Sequence, residues 1–119
     1  MVKKMNRKNI TQDEQGSDRI DLLPDKLRGK LPNLYAQEKL GADAVAYAKY
    51  FTPDSSWIWY ATEFDGEDTF FGLVDGFEKE LGYFSLSELK TARGPLGLPI
   101  ERDLYWKPKT LREISPEIF

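Results

Sequence analysis

Four carboxylates, Glu63, Asp65, Glu67 and Asp68, fall within one short stretch, TEFDGED. Carboxylates that converge within a few ångströms hold magnesium or manganese, and such an ion activates water for phosphodiester cleavage. On that reading the four are catalytic, with Asp65 and Glu67 as metal ligands and Asp54 or Glu101 completing the set. The competing reading is a solvated hairpin tip. Asp65-Gly66 is already accounted for as a tight-turn dipeptide, and acidic tips discourage edge-to-edge aggregation.

Two arginines form a second group. Arg93 and Arg102 bracket RGPLGLPIERD, a stretch whose glycines and prolines demand a shaped, stiff loop. Arginine forks held in fixed directions bind phosphate or carboxylate. The plainer alternative has Arg102 pinning the loop through Glu88 or Asp103, while Arg93 compensates a helix dipole. The third group is aromatic: Trp57, Trp59, Tyr60, Phe70, Phe71, Tyr83 and Trp106. Sheet aromatics stack bases in single-strand binders, but those surfaces interleave Lys and Arg. Here the middle strands carry none, so the rings read as core. Trp59 and Trp106 are expected to be partly exposed, because an indole N–H needs a partner. The binding candidates are therefore Arg93, Arg102, Trp59 and Trp106.

Residue types that are missing narrow the chemistry further. The 119 residues include no Cys and no His. That excludes disulfides, thiolate nucleophiles, imidazole bases and the usual zinc ligands. Catalysis would have to use carboxylates, Lys, Tyr or an oxygen-bound cation. A net charge of −3 argues against coating nucleic acid through overall charge, though not against a local basic patch. No apolar run is long enough to span a bilayer. The start of the chain is basic (Lys3, Lys4, Arg7, Lys8) but is not followed by an apolar stretch. Hence no secretory signal is read, no membrane partner is expected, and the expected address is cytoplasmic.

These groups must be positioned by a sheet. Residues 1–20 are polar and lack apolar periodicity, so they read as a flexible tail, and 21–119 as a single α+β domain. Leu23, Leu27, Leu31 and Leu34 recur at helical spacing, Pro24 suits a first helical turn, and Pro32 ends the helix. Strands are expected at about 45–51, 57–64, 69–74 and 80–84, separated by TPDSS, Asp65-Gly66 and Asp75-Gly76. Short links force an antiparallel meander in sequence order. Alternation places Ile58, Tyr60, Thr62 and Phe64 on one face of the second strand and Trp57, Trp59, Ala61 and Glu63 on the other. The C-terminal segment is expected to cover the second aromatic face. Ser85-Leu86-Ser87-Glu88 and Thr110-Leu111-Arg112-Glu113 read as capping boxes, and 103–107 as a fifth, edge strand. The expected fold is thus a four- to five-stranded antiparallel meander packed by an N-terminal helix and a helix after strand four.

The strings LLPDKLRGKLPNLYA, FTPDSSWIWYATEFDGEDTFFGLVDGFEKELGYFSLSEL and RGPLGLPIERDLYWKPKTL, in this order, resemble bacterial domain-of-unknown-function family 2958. The resemblance spans roughly 22–111 and transfers no catalytic residue. It implies small proteins common on plasmids and other mobile DNA, some relatives carrying a single-strand DNA endonuclease label. Two functions follow as expectations. The first is a non-catalytic accessory module that binds a protein or nucleic-acid partner through its loops and aromatic edge. The alternative is a magnesium- or manganese-dependent single-strand DNA nuclease built on the acidic hairpin.

Overall fold

The computed structural model describes residues 20–119; the tail expected over 1–20 lies outside them, apart from Ile20. Helix α1 (Asp25–Arg28) opens the fold, and 3-10 turns over Glu38–Asp43 follow. Strands β1 (Val45–Ala46), β2 (Ala48–Phe51), β3 (Ile58–Phe64), β4 (Thr69–Asp75) and β5 (Lys79–Ser85) come next. Helix α2 (Leu86–Thr91), β6 (Glu101–Arg102), β7 (Lys109–Thr110) and helix α3 (Leu111–Ile114) complete the chain. Five strands form an antiparallel sheet in the order β5-β4-β3-β2-β6, and β1 pairs with β7 in a separate small ladder. The meander read from the turn residues is present as β2 to β5.

Four expectations are corrected. The N-terminal helix is a single turn. Gly29 caps it, and the chain then turns at Lys30 and Leu31, so the run to Pro32 never becomes helical. Leu22, Leu23 and Leu31 are nonetheless buried in the main core, with Leu27 packed against it. The first strand divides at Tyr47, with Val45–Ala46 turned toward Lys109–Thr110 and Ala48–Phe51 paired with β3 and β6. The fifth strand is Glu101–Arg102 rather than 103–107. Asp103 Oδ1 accepts the Tyr105 N–H at 2.9 Å, a local turn that ends the pairing.

The fourth correction is a β-bulge. Ala61 faces Gly72, but Glu63 faces Phe71, so Thr62 is the extra residue. Beyond it the alternation inverts. Phe64 joins Trp59 and Ala61 in the main core, its ring 4.6 Å from that of Phe70, which in turn stacks on Phe84. Glu63 crosses to the face of Tyr60 and Phe71. Gly72 permits the bulge: a Cβ there would lie 1.8 Å from the Tyr60 carbonyl oxygen.

The second face carries a smaller core of Ala44, Leu73 and Leu111, with Tyr60, Ile114 and Phe119 against it. The C-terminal segment therefore covers part of this face. The Thr110–Glu113 capping box that starts α3 is complete. At α2, Ser85 Oγ accepts the Glu88 N–H, which is half of the expected box. Phe71, Leu81 and Tyr83 are left beside an open pocket.

Candidate functional site

Two of the four predicted binding residues meet at the β6 edge. Arg102 and Trp106 line a cleft of about 220 Å³ with Lys26, Lys30 and Tyr47. Arg102 sits in β6 opposite Tyr50 of β2. Its Nε donates to the Asp21 carbonyl at 2.9 Å. The expected carboxylate partners, Glu88 and Asp103, are not used, because the loop turns Arg102 toward the N-terminal segment. Its two terminal nitrogens take no partner among the described residues. Beneath, the Tyr50 hydroxyl donates to the Leu22 carbonyl at 2.7 Å. Burial pushes that phenol well above its ordinary pKa, so it remains a donor.

Trp106 is half-buried and donates its Nε1 proton to the Ala46 carbonyl at 3.0 Å, the partner its indole demanded. Its ring lies 5.6 Å from Tyr60. Lys109 Nζ stands 5.3 Å and Lys49 Nζ 5.7 Å from its centroid. Lys49 also reaches Asp103 at 3.8 Å. Lys26 and Lys30 are exposed and have no carboxylate partner among the described residues. Tyr105, at 90% exposure, lies in the chain between Leu104 and Trp106 of the cleft lining.

Arg93 and Trp59 do not line this cleft. Arg93 Nη1 donates to the carbonyls of Lys90 and Ala92 at the end of α2. Trp59 is half-buried against the main core and 5.9 Å from Trp57.

The four hairpin carboxylates go to separate tasks. Asp65 Oδ1 accepts the N–H groups of Glu67, Asp68 and Thr69, which hold its carboxyl below the ordinary range. Asp68 takes the N–H and hydroxyl of Ser87, both at 2.8 Å. Glu67 is exposed. Glu63 is 4% exposed and accepts the N–H groups of Tyr35 and Gln37, both at 2.8 Å. Among the described residues no three acidic side chains gather closely enough to hold a metal ion. Asp54, considered as a further ligand, accepts the Leu96 N–H at 2.7 Å and so shapes the RGPLG turn.

The role of Glu63 escaped the sequence reading. It lines a pocket of about 350 Å³ on the second face, walled by Tyr35, Phe71, Leu81 and Tyr83. A signal was present. Strict alternation would bury Glu63 beside Ala61 as an unpaired charge, and that conflict marks the bulge. No helix among the described residues is long and apolar enough to cross a membrane.

The fold and its edges define a small α+β sheet domain with a basic aromatic cleft on one side and an acidic aromatic pocket on the other. The chain belongs to the family of proteins of unknown function DUF2958, which it matches over residues 22–115. Searches of curated proteins and of solved structures found no match.

Proposed function

We propose that this is a small cytoplasmic accessory module that holds single-stranded nucleic acid by its phosphates in the Arg102–Trp106 cleft, in the service of mobile DNA as the family resemblance implies. The observation that carries the reading is that Lys26, Lys30 and Arg102 line one cleft with Trp106, whose ring Lys109 also faces, while the carboxylate in that lining, Asp103, lies 3.8 Å from Lys49. Long cations around a phosphate-sized cleft supply affinity without sequence preference. Tyr105, almost fully exposed, offers a stacking platform that any base can use.

Anisotropy of a labelled oligothymidylate across a salt series tests this. Log affinity should fall linearly with log salt with a slope of about −3, corresponding to roughly four phosphates neutralised on a single strand. Lys26→Glu with Lys30→Glu should abolish binding, and Tyr105→Ala should cost about 1–3 kcal/mol. Binding unchanged by the double substitution would overturn the reading. Adding manganese to the same mixture tests the nuclease alternative: cleavage that disappears in Asp65→Ala with Glu67→Ala would establish it.

A further inference from the structure

The pocket at Glu63 uses a different chemistry from the cleft and shares no lining residue with it. Most of its donors are already spent, the hydroxyl proton of Tyr35 being the exception. Gln37 Nε2 donates to the carbonyls of Val45 and Thr62, and its Oε1 accepts the Val45 N–H. Thr62 Oγ1 donates to the Phe71 carbonyl at 3.0 Å. The Tyr83 hydroxyl donates to that of Tyr35 at 3.2 Å. What the pocket still offers is chiefly acceptor capacity: the carboxylates of Glu63 and Glu38, and the tyrosine oxygens.

The charge is equally one-sided. No Lys or Arg lines the pocket. Glu63 is buried, and no cation pairs with it among the described residues. Two backbone N–H groups hold its carboxylate in place but do not neutralise it, an arrangement that favours an incoming positive charge. The Tyr83 phenol registers the same field. Its pKa is raised first by the hydrogen bond to Tyr35, then by desolvation, with Glu63 and Glu38 adding to the effect. Three of the walls, Tyr35, Phe71 and Tyr83, are aromatic, and ring faces attract cations.

We infer that this pocket binds a basic side chain, arginine or lysine, presented by a protein partner. The commitment to a cation rests on complementarity of charge and of hydrogen-bonding sense: the lining holds two carboxylates and no cation, and most of its free capacity accepts hydrogen bonds. The volume is at the low end for ligand pockets and suits one long side chain.

The test is amide chemical-shift perturbation of the full chain by blocked glycine-arginine-glycine and glycine-lysine-glycine tripeptides. A glycine-citrulline-glycine tripeptide serves as the neutral isostere. The basic peptides should shift the amides of Glu63, Phe71 and Tyr83, and citrulline should bind at least about ten-fold more weakly. Tyr83→Leu, at a largely exposed position, should weaken binding while the rest of the spectrum keeps its folded pattern. Glu63→Gln should weaken it as well. Equal binding of the citrulline peptide, or shifts confined to residues outside the pocket, would overturn the proposal. The same shifts on raising protein concentration without peptide would assign the pocket to a second copy and overturn it too.

Discussion

The two edges of the sheet use similar materials to opposite ends. At the β6 edge, aromatic rings are ringed by lysines and an arginine; on the second face, from the central strand β3 out to the β5 edge, aromatic rings enclose a glutamate. The difference lies in how the charge is held. Lys26 and Lys30 are exposed, and their long stems can be reoriented at small cost. Glu63 is buried and fixed at both oxygens by the backbone of residues 35 and 37. Charge at the first edge is appended to the fold, whereas charge at the second is built into it. A net charge of −3 conceals this segregation.

The comparison can be broken most forcefully at Glu63. Glu63→Ala strips one buried and one partly buried N–H group of their acceptor, the buried one alone costing about 1–3 kcal/mol, and leaves a void where a buried side chain stood. A loss of about 3 kcal/mol or more is expected in urea unfolding, with Tm falling by roughly 10 °C or more for a domain of this size. A loss below about 1 kcal/mol would show that the 35–37 turn stands without the carboxylate, and the distinction between the edges would fail.

The β6 edge should respond less. Arg102→Ala removes one hydrogen bond to the Asp21 carbonyl, worth about 0.5–1.5 kcal/mol. Lys26→Ala and Lys30→Ala should stay within about 0.5 kcal/mol of the parent, as exposed substitutions do. Urea titrations of the three variants check this ordering. If a lysine substitution cost as much as Glu63→Ala, charge would be built into both edges.

What was legible in the sequence was local. Asp65-Gly66 announced its hairpin because a tight turn needs positive φ, and Gly66 sits at 91°. The capping residues announced α2 and α3 because their side chains act within one turn. Arg102 and Trp106 were named singly; that they share a cleft depends on the loop after β6 folding back beside α1, which no short spacing encodes. The bulge at Thr62 was the costliest miss. One extra residue reverses every later side chain, and it moved Glu63 from the main core to the floor of a pocket. The helix expected from Pro24 to Pro32 is cut to Asp25–Arg28 for a related reason. The leucine spacing was real, but Gly29 and the pull of the main core let a single turn and a loop bury Leu22, Leu23 and Leu31.

Asp65 sharpens the contrast with Glu63 at the smallest scale. Both carboxylates accept backbone N–H groups, Asp65 from three residues and Glu63 from two, yet Asp65 stands in solvent at the hairpin tip. Water can replace its bonds, so Asp65→Asn should lower Tm by less than any change at Glu63 or Arg102. Its signature is the pH dependence. The three N–H groups hold the folded pKa below the unfolded value of about 3.9. Asp65 therefore contributes stability above that pH, and the contribution is lost as pH falls through the folded pKa. Thermal melts of parent and Asp65→Asn should differ by a small, constant amount from neutral pH down to about 4 and converge below it. A gap that persisted unchanged into stronger acid would mean that shape, not charge, holds the turn. Charge would then contribute nothing at the hairpin tip, and the contrast between an exposed and a buried carboxylate would lose its exposed member.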